Sequence, residues 1–433
     1  MSLMGRAVAS MKSYPTIAVS VVLVLTLIAI SIWAMVSMPL SEAVNLWNGG
    51  LDVWRYTPQN AQPVWTNWFR KEKLPKTITL HASDADTIVN ILNETSQRET
   101  TVLTFNYTTT RLPNELVFFY NVAYDSKIPM LTLTWIKPDG TEIEITRRTA
   151  RGGFSRIEMD LVETMGSAAS LQDEPRAQLG EYSLRIELLR FEPESYGIEA
   201  KLIVYGGVYG LAGTDLQRRD LMIGLMWGTP IALLIGMLAA VGTSVFAFVV
   251  SAIGAWFGGW IDASIQRITE VSMMIPFLPT ILMIGWFYSR SIWVMLGFII
   301  LFSLFSSQQK SYRATFLHVI HSQYIEAARA YGASNSRIVF RYLIPRMLPL
   351  LLPRLVLGIP QFVFLEASLA LLGIADPKLP TWGKVLADAR EALYMGHYHC
   401  VLEPALMLLL TGLSFSMLGY ALDRIFNPKL RDS

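Results

Sequence analysis

Residues Gln323 to Pro345 read QYIEAARAYGASNSRIVFRYLIP, a polar, basic, small-residue stretch set between two long apolar runs. Lipid cannot satisfy such side chains or an irregular backbone, so this stretch must lie outside the bilayer while its flanks cross it. That requirement makes the chain a polytopic helical membrane protein. The composition agrees, since 52% of the 433 residues are hydrophobic and 16% are charged, against about 25% charged in ordinary soluble domains. A net charge of +2 gives no reason to expect nucleic acid. A lone cysteine, Cys400, excludes an intrachain disulfide and a cysteine-rich zinc site.

Apolar runs of spanning length begin at Thr16–Met38 and recur near Leu221–Trp256, Ile268–Phe287, Ser291–Leu304, Leu348–Gly373 and Leu402–Leu422. The first exceeds the apolar core of a signal peptide, about 7–15 residues, and no Ala-x-Ala follows, so it reads as an uncleaved span. Six spans put both termini on one side. Arg6, Lys12, Lys310, Arg313, Arg329, Arg337, Arg341, Arg346, Lys429 and Arg431 all fall on that side, which the positive-inside rule makes cytoplasmic. The expected organisation is a cytoplasmic N-terminus over 1–15, a first span over 16–38, an outer segment over 39–213, and a helical core over 214–433. That core holds five spans and a cytoplasmic loop at 308–346.

The outer segment has a different texture. Leu103, Phe105 and Tyr107 alternate with polar residues, as do Leu131, Leu133 and Trp135, and Ile143 and Ile145 beyond Pro138-Asp139-Gly140. Tyr182 to Leu188 and Ile198 to Val204 repeat the pattern. Period-two alternation between turn signals predicts an inserted all-β domain, read as a β-sandwich of immunoglobulin-like type. Trp47, Trp54, Trp65 and Trp68 read as sandwich packing or interfacial anchors, with stacking on sugars or on a docked protein as the other reading. Asn93-Glu94-Thr95 and Asn106-Tyr107-Thr108 are sequons, meaningful only in a cell that glycosylates.

Within the polar loop, Ala327, Ala328 and Ala330 favour helix and offer a face of small side chains. Gly332 is placed to end that helix in a left-handed cap. Ser334 or Asn335 suits the start of a second helix, and Pro345 its end or a kink into the fifth span. Pro276 and Pro279 are expected to kink the third span and free carbonyls, either lining a translocation pathway or serving as simple packing bends. Glu366 lies inside the fifth span, where a carboxylate costs a few kcal/mol. It lines a pathway or touches a partner, or it is an acceptor between helices. Glu403 reads as interfacial, and Asp215 as a cap on the second span. His397, Tyr398, His399 and Cys400 have metal-like chemistry, but too few ligands converge for a metal to be expected. No cofactor is expected. The Gly383-Lys384 pair runs into Val385, so it is no phosphate-binding loop, and no hydrolase or protease motif accompanies it.

From about Gly213 to Pro428 the chain resembles ABC importer permeases of the dipeptide, oligopeptide and nickel branch. The resemblance rests on Gly213-Thr214-Asp215-Leu216-Gln217-Arg218-Arg219-Asp220, with Arg218 where that branch has glycine. Phe257-Gly258-Gly259-Trp260-Ile261-Asp262, the Glu326-Ala327-Ala328 to Gly332 to Pro345 loop, Leu365 to Gly373 with Ser368 in place of glycine, and Pro380-Thr381-Trp382-Gly383 carry the rest. It spans about half the chain, and the large outer insertion departs from it. The resemblance implies a subunit without its own ATP site, in the cytoplasmic (inner) membrane. It implies that Glu326, Ala327, Ala328, Arg329, Gly332 and Pro345 couple it to a separate ATPase, with Glu326 a charged anchor and Arg329 on the exposed side. Its implied partners are a second related permease, two ABC ATPases, an outer solute-binding protein and the lipid bilayer, and its cargo peptides or oligosaccharides. The competing expectation is a membrane-anchored sensor or scaffold whose β-domain binds an extracellular partner.

Overall fold

The computed structural model describes residues 15–85, 87–93, 96–166, 175–192 and 198–426. Arg6, Lys12, Lys429, Arg431 and the Glu94-Thr95 part of the first sequon lie outside them. The chain divides into two compact units. The helical unit takes the residues up to Asn48, Ile223–Leu393 and those from Val401 onward; the β unit takes Gly49–Met222 and Tyr394–Cys400.

In chain order the elements before the sheets are α1 (Pro15–Ser37), α2 (Leu40–Asn48), α3 (Gly50–Trp54) and a 3-10 turn over Val64–Phe69. The strands are β1 (Ile78–His81), β2 (Thr87–Asn93), β3 (Ser96–Tyr107), β4 (Glu115–Val122), β5 (Met130–Ile136), β6 (Glu142–Thr149) and β7 (Gly153–Glu158). After α4 (Leu161–Met165) come β8 (Gly180–Arg190) and β9 (Ile198–Tyr205). They form two antiparallel sheets, ordered β1-β9-β4-β7 and β2-β3-β8-β5-β6.

One core joins the sheets as a sandwich. Leu103, Phe105 and Tyr107 of β3, Leu131, Leu133 and Trp135 of β5, and Tyr182 to Leu188 of β8 pack against Leu116, Phe118 and Tyr120 of β4 and Leu202 and Val204 of β9. Trp135 is fully buried and its indole donates to the Thr164 carbonyl at 2.8 Å, which satisfies its one polar atom. Pro138-Asp139-Gly140 does turn β5 into β6, with Gly140 at φ 82. β4 escapes the alternation rule because both its faces are apolar: Val117 and Phe119 form a second cluster with Ile203 and Tyr205 on the opposite side. The tryptophans part company. Trp47 is buried in the helical unit, where its ring lies against Gly224; Trp54 is buried in the β unit, while Trp68 is 80% exposed.

The helical unit continues with α5 (Leu221–Phe257), α6 (Gly259–Met274), α7 (Phe277–Phe287), α8 (Ile292–Ser303), α9 (Ser307–Val319), α10 (Gln323–Ala330) and α11 (Asn335–Arg337). A π-helical turn over Ile338–Leu343 leads into α12 (Ile344–Leu371), followed by α13 (Trp382–Asp388), α14 (Arg390–Tyr394) and α15 (His399–Phe426). Four helices are long and apolar enough to cross a membrane: α1, α5, the run from Asn335 to Leu371, and α15. Two bent pairs, α6 with α7 at 73° and α8 with α9 at 43°, bring the number to six if each pair is one span.

The third expected span is therefore not one kinked helix. Ile275 precedes Pro276 and is held extended (φ −75°, ψ 121°), which stops α6. Pro276 caps α7 and its carbonyl accepts from the Thr280 N–H at 3.2 Å and from Thr280 Oγ1 at 2.9 Å. Pro279 bends nothing, because it stands in the first turn of α7, where no N–H is needed. The short fourth run ends at Ser303, and beyond a break α9 continues at an angle of 43°.

Candidate functional site

The polar loop forms the helix α10 and a capped return. Ala327, Ala328 and Ala330 are strong helix formers. At its C-terminus Gly332 adopts φ 74. The Ala333 N–H returns to the Ala328 carbonyl at 3.1 Å and the Gly332 N–H to the Arg329 carbonyl at 3.0 Å, the paired bonds of a Schellman cap. Ser334 then caps α11, accepting from the Arg337 N–H.

Packing decides which face of α10 remains free. Ile325 is fully buried, the Arg346 guanidinium lies 5.9 Å from the Tyr324 ring, and that of Arg329 lies 4.8 Å from the Trp256 ring. Arg329 is thus turned back onto Trp256, although it is exposed to solvent. Ala328 flanks Ile325 and is half-buried, so the open face is made by Glu326, Ala327 and Ala330, with Tyr331 beside them 92% exposed.

Behind α10, Pro345 neither ends nor kinks the helix. The π turn just before it shifts the hydrogen-bond register by one residue, and the helix runs on to Leu371. Val339, Leu343, Met347 and Leu351, four residues apart, bury themselves against Phe248, Tyr312 and Phe316. Phe257 to Asp262 contributes a tie that the motif alone did not disclose. Gly258 and Gly259 both adopt positive φ (61 and 52), reversing the chain. Asp262 then takes the Arg313 guanidinium in a bidentate pair, Nε to Oδ1 at 2.7 Å and Nη2 to Oδ2, which joins α6 to α9.

Near the other end of α12, Glu366 is half-buried and accepts from Thr381 Oγ1 at 2.7 Å. The Thr381 hydroxyl also caps α13 by accepting from the Lys384 N–H at 3.1 Å. Trp382 donates to the Leu225 carbonyl at 3.0 Å and lies so close to Gly228 that a Cβ there would come within 2.3 Å of its ring. A Cβ on Gly383 would lie 2.8 Å from Glu366 Oε2. Thr381-Trp382-Gly383 is thus a clamp between α5 and α12. Beside it, Glu366, Arg290 and Asp376 line a cavity of about 20 Å³, room for about one water. Asp376 there accepts from the Ile292 N–H at 2.9 Å, capping α8. A larger cleft of about 450 Å³ opens at the α6–α7 break, between Ile275 and Phe277 on one side and Gln361, Phe362 and Leu365 on the other.

The Gly213–Asp220 turn belongs to the β unit. Asp215 is buried and does not cap α5. Its Oδ1 accepts from the Gln217 and Arg219 N–H groups, each at 2.9 Å, and its Oδ2 from Arg219 Nε at 2.7 Å. Burial pushes its carboxyl above the usual range, against the pull of Arg219. Asp220 is the cap, accepting from the Met222 N–H at 2.8 Å. The Thr214 carbonyl lies 3.2 Å from His399 Nε2 and accepts from Cys400 Sγ at 3.6 Å, so His399 and Cys400 both serve this turn. Among the described residues no group of three or more His, Cys, Asp or Glu is placed to hold a metal.

Four to six helices of spanning length, joined by a polar, capped helix that is open on one face, mark a multi-pass membrane protein. Residues 232–432 match the family of binding-protein-dependent transport system inner membrane components. The dipeptide transport system permease protein of Alkalihalophilus pseudofirmus is 28% identical over 220 residues, 51% of this chain and 72% of that protein. The oligopeptide permease protein of Escherichia coli K12 is 27% identical over 51% of this chain and 72% of its own length. The glutathione transport permease protein of Pectobacterium atrosepticum is 28% identical over 51% and 72%. Among solved structures, a carbohydrate-binding module in complex with a galactotriose covers 34% of this chain at 10% identity and TM-score 0.18, too slight a likeness to bear on fold or function. Over residues 232–432 the chain is similar to the binding-protein-dependent transport inner membrane components, and its likeness to dipeptide and oligopeptide permeases marks it as a permease subunit of an ABC importer.

Proposed function

We propose that this permease supplies half of a translocation path for peptides and that α10 is its seat on a separate ATPase. The observation that carries the reading is the free face of Glu326, Ala327 and Ala330 on a helix fixed from behind by Ile325 and ended by Gly332 at φ 74. Small side chains let a partner's cleft close around the helix, and Glu326 gives that contact a charge. In the full assembly a second permease, two ATPases and an outer solute-binding protein complete the importer, ATP is hydrolysed on the partner subunits, and both termini lie in the cytoplasm. ATPase closure favours the outward-open state only to the extent that α10 is held more tightly in that state. The names of the relatives support peptides as cargo.

Within this reading the 450 Å³ cleft at the Pro276 break is the better candidate for the path. Glu366 acts as an acceptor between helices, through Thr381. Gly332→Asp or Glu326→Arg should leave membrane insertion intact and abolish uptake in vesicles holding the whole importer. Wild-type uptake by both variants would refute the coupling role.

A further inference from the structure

The β unit contains a built polar cleft that the transport reading does not use. It measures about 980 Å³ and is lined by Asn60, Glu115, Arg156, Glu158, Gln217 and Arg218 among others. Among the described residues, Asn60 (φ 50) and Arg218 (φ 66) are the non-glycine residues with a left-handed backbone, and both line this cleft. Such conformations cost about 1–3 kcal/mol each and persist where the surroundings impose them. Asn60 is 7% exposed, yet its Oδ1 has no hydrogen-bond partner.

The charges are arranged to receive opposite groups. Arg218 is committed, through Nη2 to Glu115 Oε2 and Nη1 to the Thr57 carbonyl at 2.8 Å. Arg156 and Glu158 are exposed and project from the same face of β7. Strand rise sets their Cα atoms about 6.7 Å apart. That is close to the reach of two extended residues, about 7 Å. Across the sheet Arg156 stands opposite Phe119. An adjoining hollow of about 210 Å³ shares Glu115, Arg156 and Arg218 with the cleft and is walled by Phe119, Phe154 and Tyr205.

We infer that this cleft binds a short zwitterionic peptide of about two residues. Its carboxylate meets Arg156, its ammonium meets Glu158, and an apolar side chain enters the aromatic hollow. The inference stands apart from the coupling role of α10, because binding is read without an ATPase or transport.

The test is calorimetric titration of the full chain in lipid nanodiscs with alanyl-phenylalanine and its N-acetyl and C-amide forms. The free dipeptide should bind saturably, and each blocked form about tenfold to hundredfold more weakly, the range for a lost charged hydrogen bond. Arg156→Gln should erase the penalty for the amide form alone, and Glu158→Gln that for the acetyl form alone. Equal binding of all three forms, unchanged selectivity in both charge variants, no saturable binding, or preference for a neutral oligosaccharide such as a galactotriose would each overturn the proposal.

Discussion

The β unit and the helical unit hold themselves together by different means. In the sandwich, stability sits in one continuous apolar core between two sheets, with Trp135, Tyr182 and Phe118 fully buried. In the helical unit, apolar surface faces outward as well: Trp260 is 78% exposed and Phe287 85%. Specificity there comes from close approaches at glycines and from a few polar ties, such as Trp382 over Gly228 and Asp262 with Arg313. Hydrophobic burial drives the first unit. In lipid it gives little preference for one helix pairing over another, so packing shape and hydrogen bonds select the second.

Damage should therefore be local and of different kinds. The largest stability effect belongs to the sandwich. Trp135→Ala removes a fully buried indole and should cost about 3–5 kcal/mol. Limited proteolysis should then cut within Gly49–Met222 while the spanning helices stay protected; simultaneous loss of both would break the contrast. Next comes the Asp262–Arg313 tie. Either side chain changed to alanine should cost about 1.5–3 kcal/mol of helical stability, as for hydrogen bonds to charged groups. A double-mutant cycle measured by detergent unfolding checks it, and additive losses would show that the pair is not coupled.

A smaller effect, at Asp220, lies where the two kinds of order meet in sequence. Asp220→Ala loses the cap on α5 and should cost about 1 kcal/mol, whereas Asp220→Asn should recover most of it. The mildest probe is alkaline titration. Burial pushes the phenols of Tyr107, Tyr182 and Tyr205 up to about 12 from 10.0. The folded β unit keeps these protons after the unfolded chain has lost them. Its stability must therefore be intact below pH about 10 and fall as pH climbs toward about 12. Melting curves followed by near-ultraviolet dichroism should drop across that window, and Tyr182→Phe should soften the drop.

The same contrast explains what could be read from the chain alone. Strands with one wet face announce themselves by alternation, so β3, β5, β6, β8 and β9 were legible, while β4, apolar on both faces, was not. Spans were legible by length and apolarity, but the break at Pro276 passed for a kink, because local sequence does not say whether a helix resumes in the same direction. Gly332 and Ser334 could be placed because caps are local chemistry. Asp215 was mistaken for a cap because its true partner, Arg219, is fixed by the fold of the turn and not by helix rules. The Thr381 hydroxyl on Glu366 and the cleft around Asn60 join residues distant in sequence, and no spacing rule reaches them. Arg218, where the resembled motif has glycine, keeps the left-handed backbone a glycine would supply, held by Glu115 and the Tyr205 ring 4.7 Å away.

A photo-crosslinker at Ala327, on the open face of α10, interrogates the central claim directly. In inside-out vesicles carrying the assembled importer, irradiation should join this chain to a nucleotide-hydrolysing subunit, and the yield should change when ATP is bound. An adduct pattern lacking any ATPase, or labelling of that position only by reagents confined to the outer side, would contradict the account.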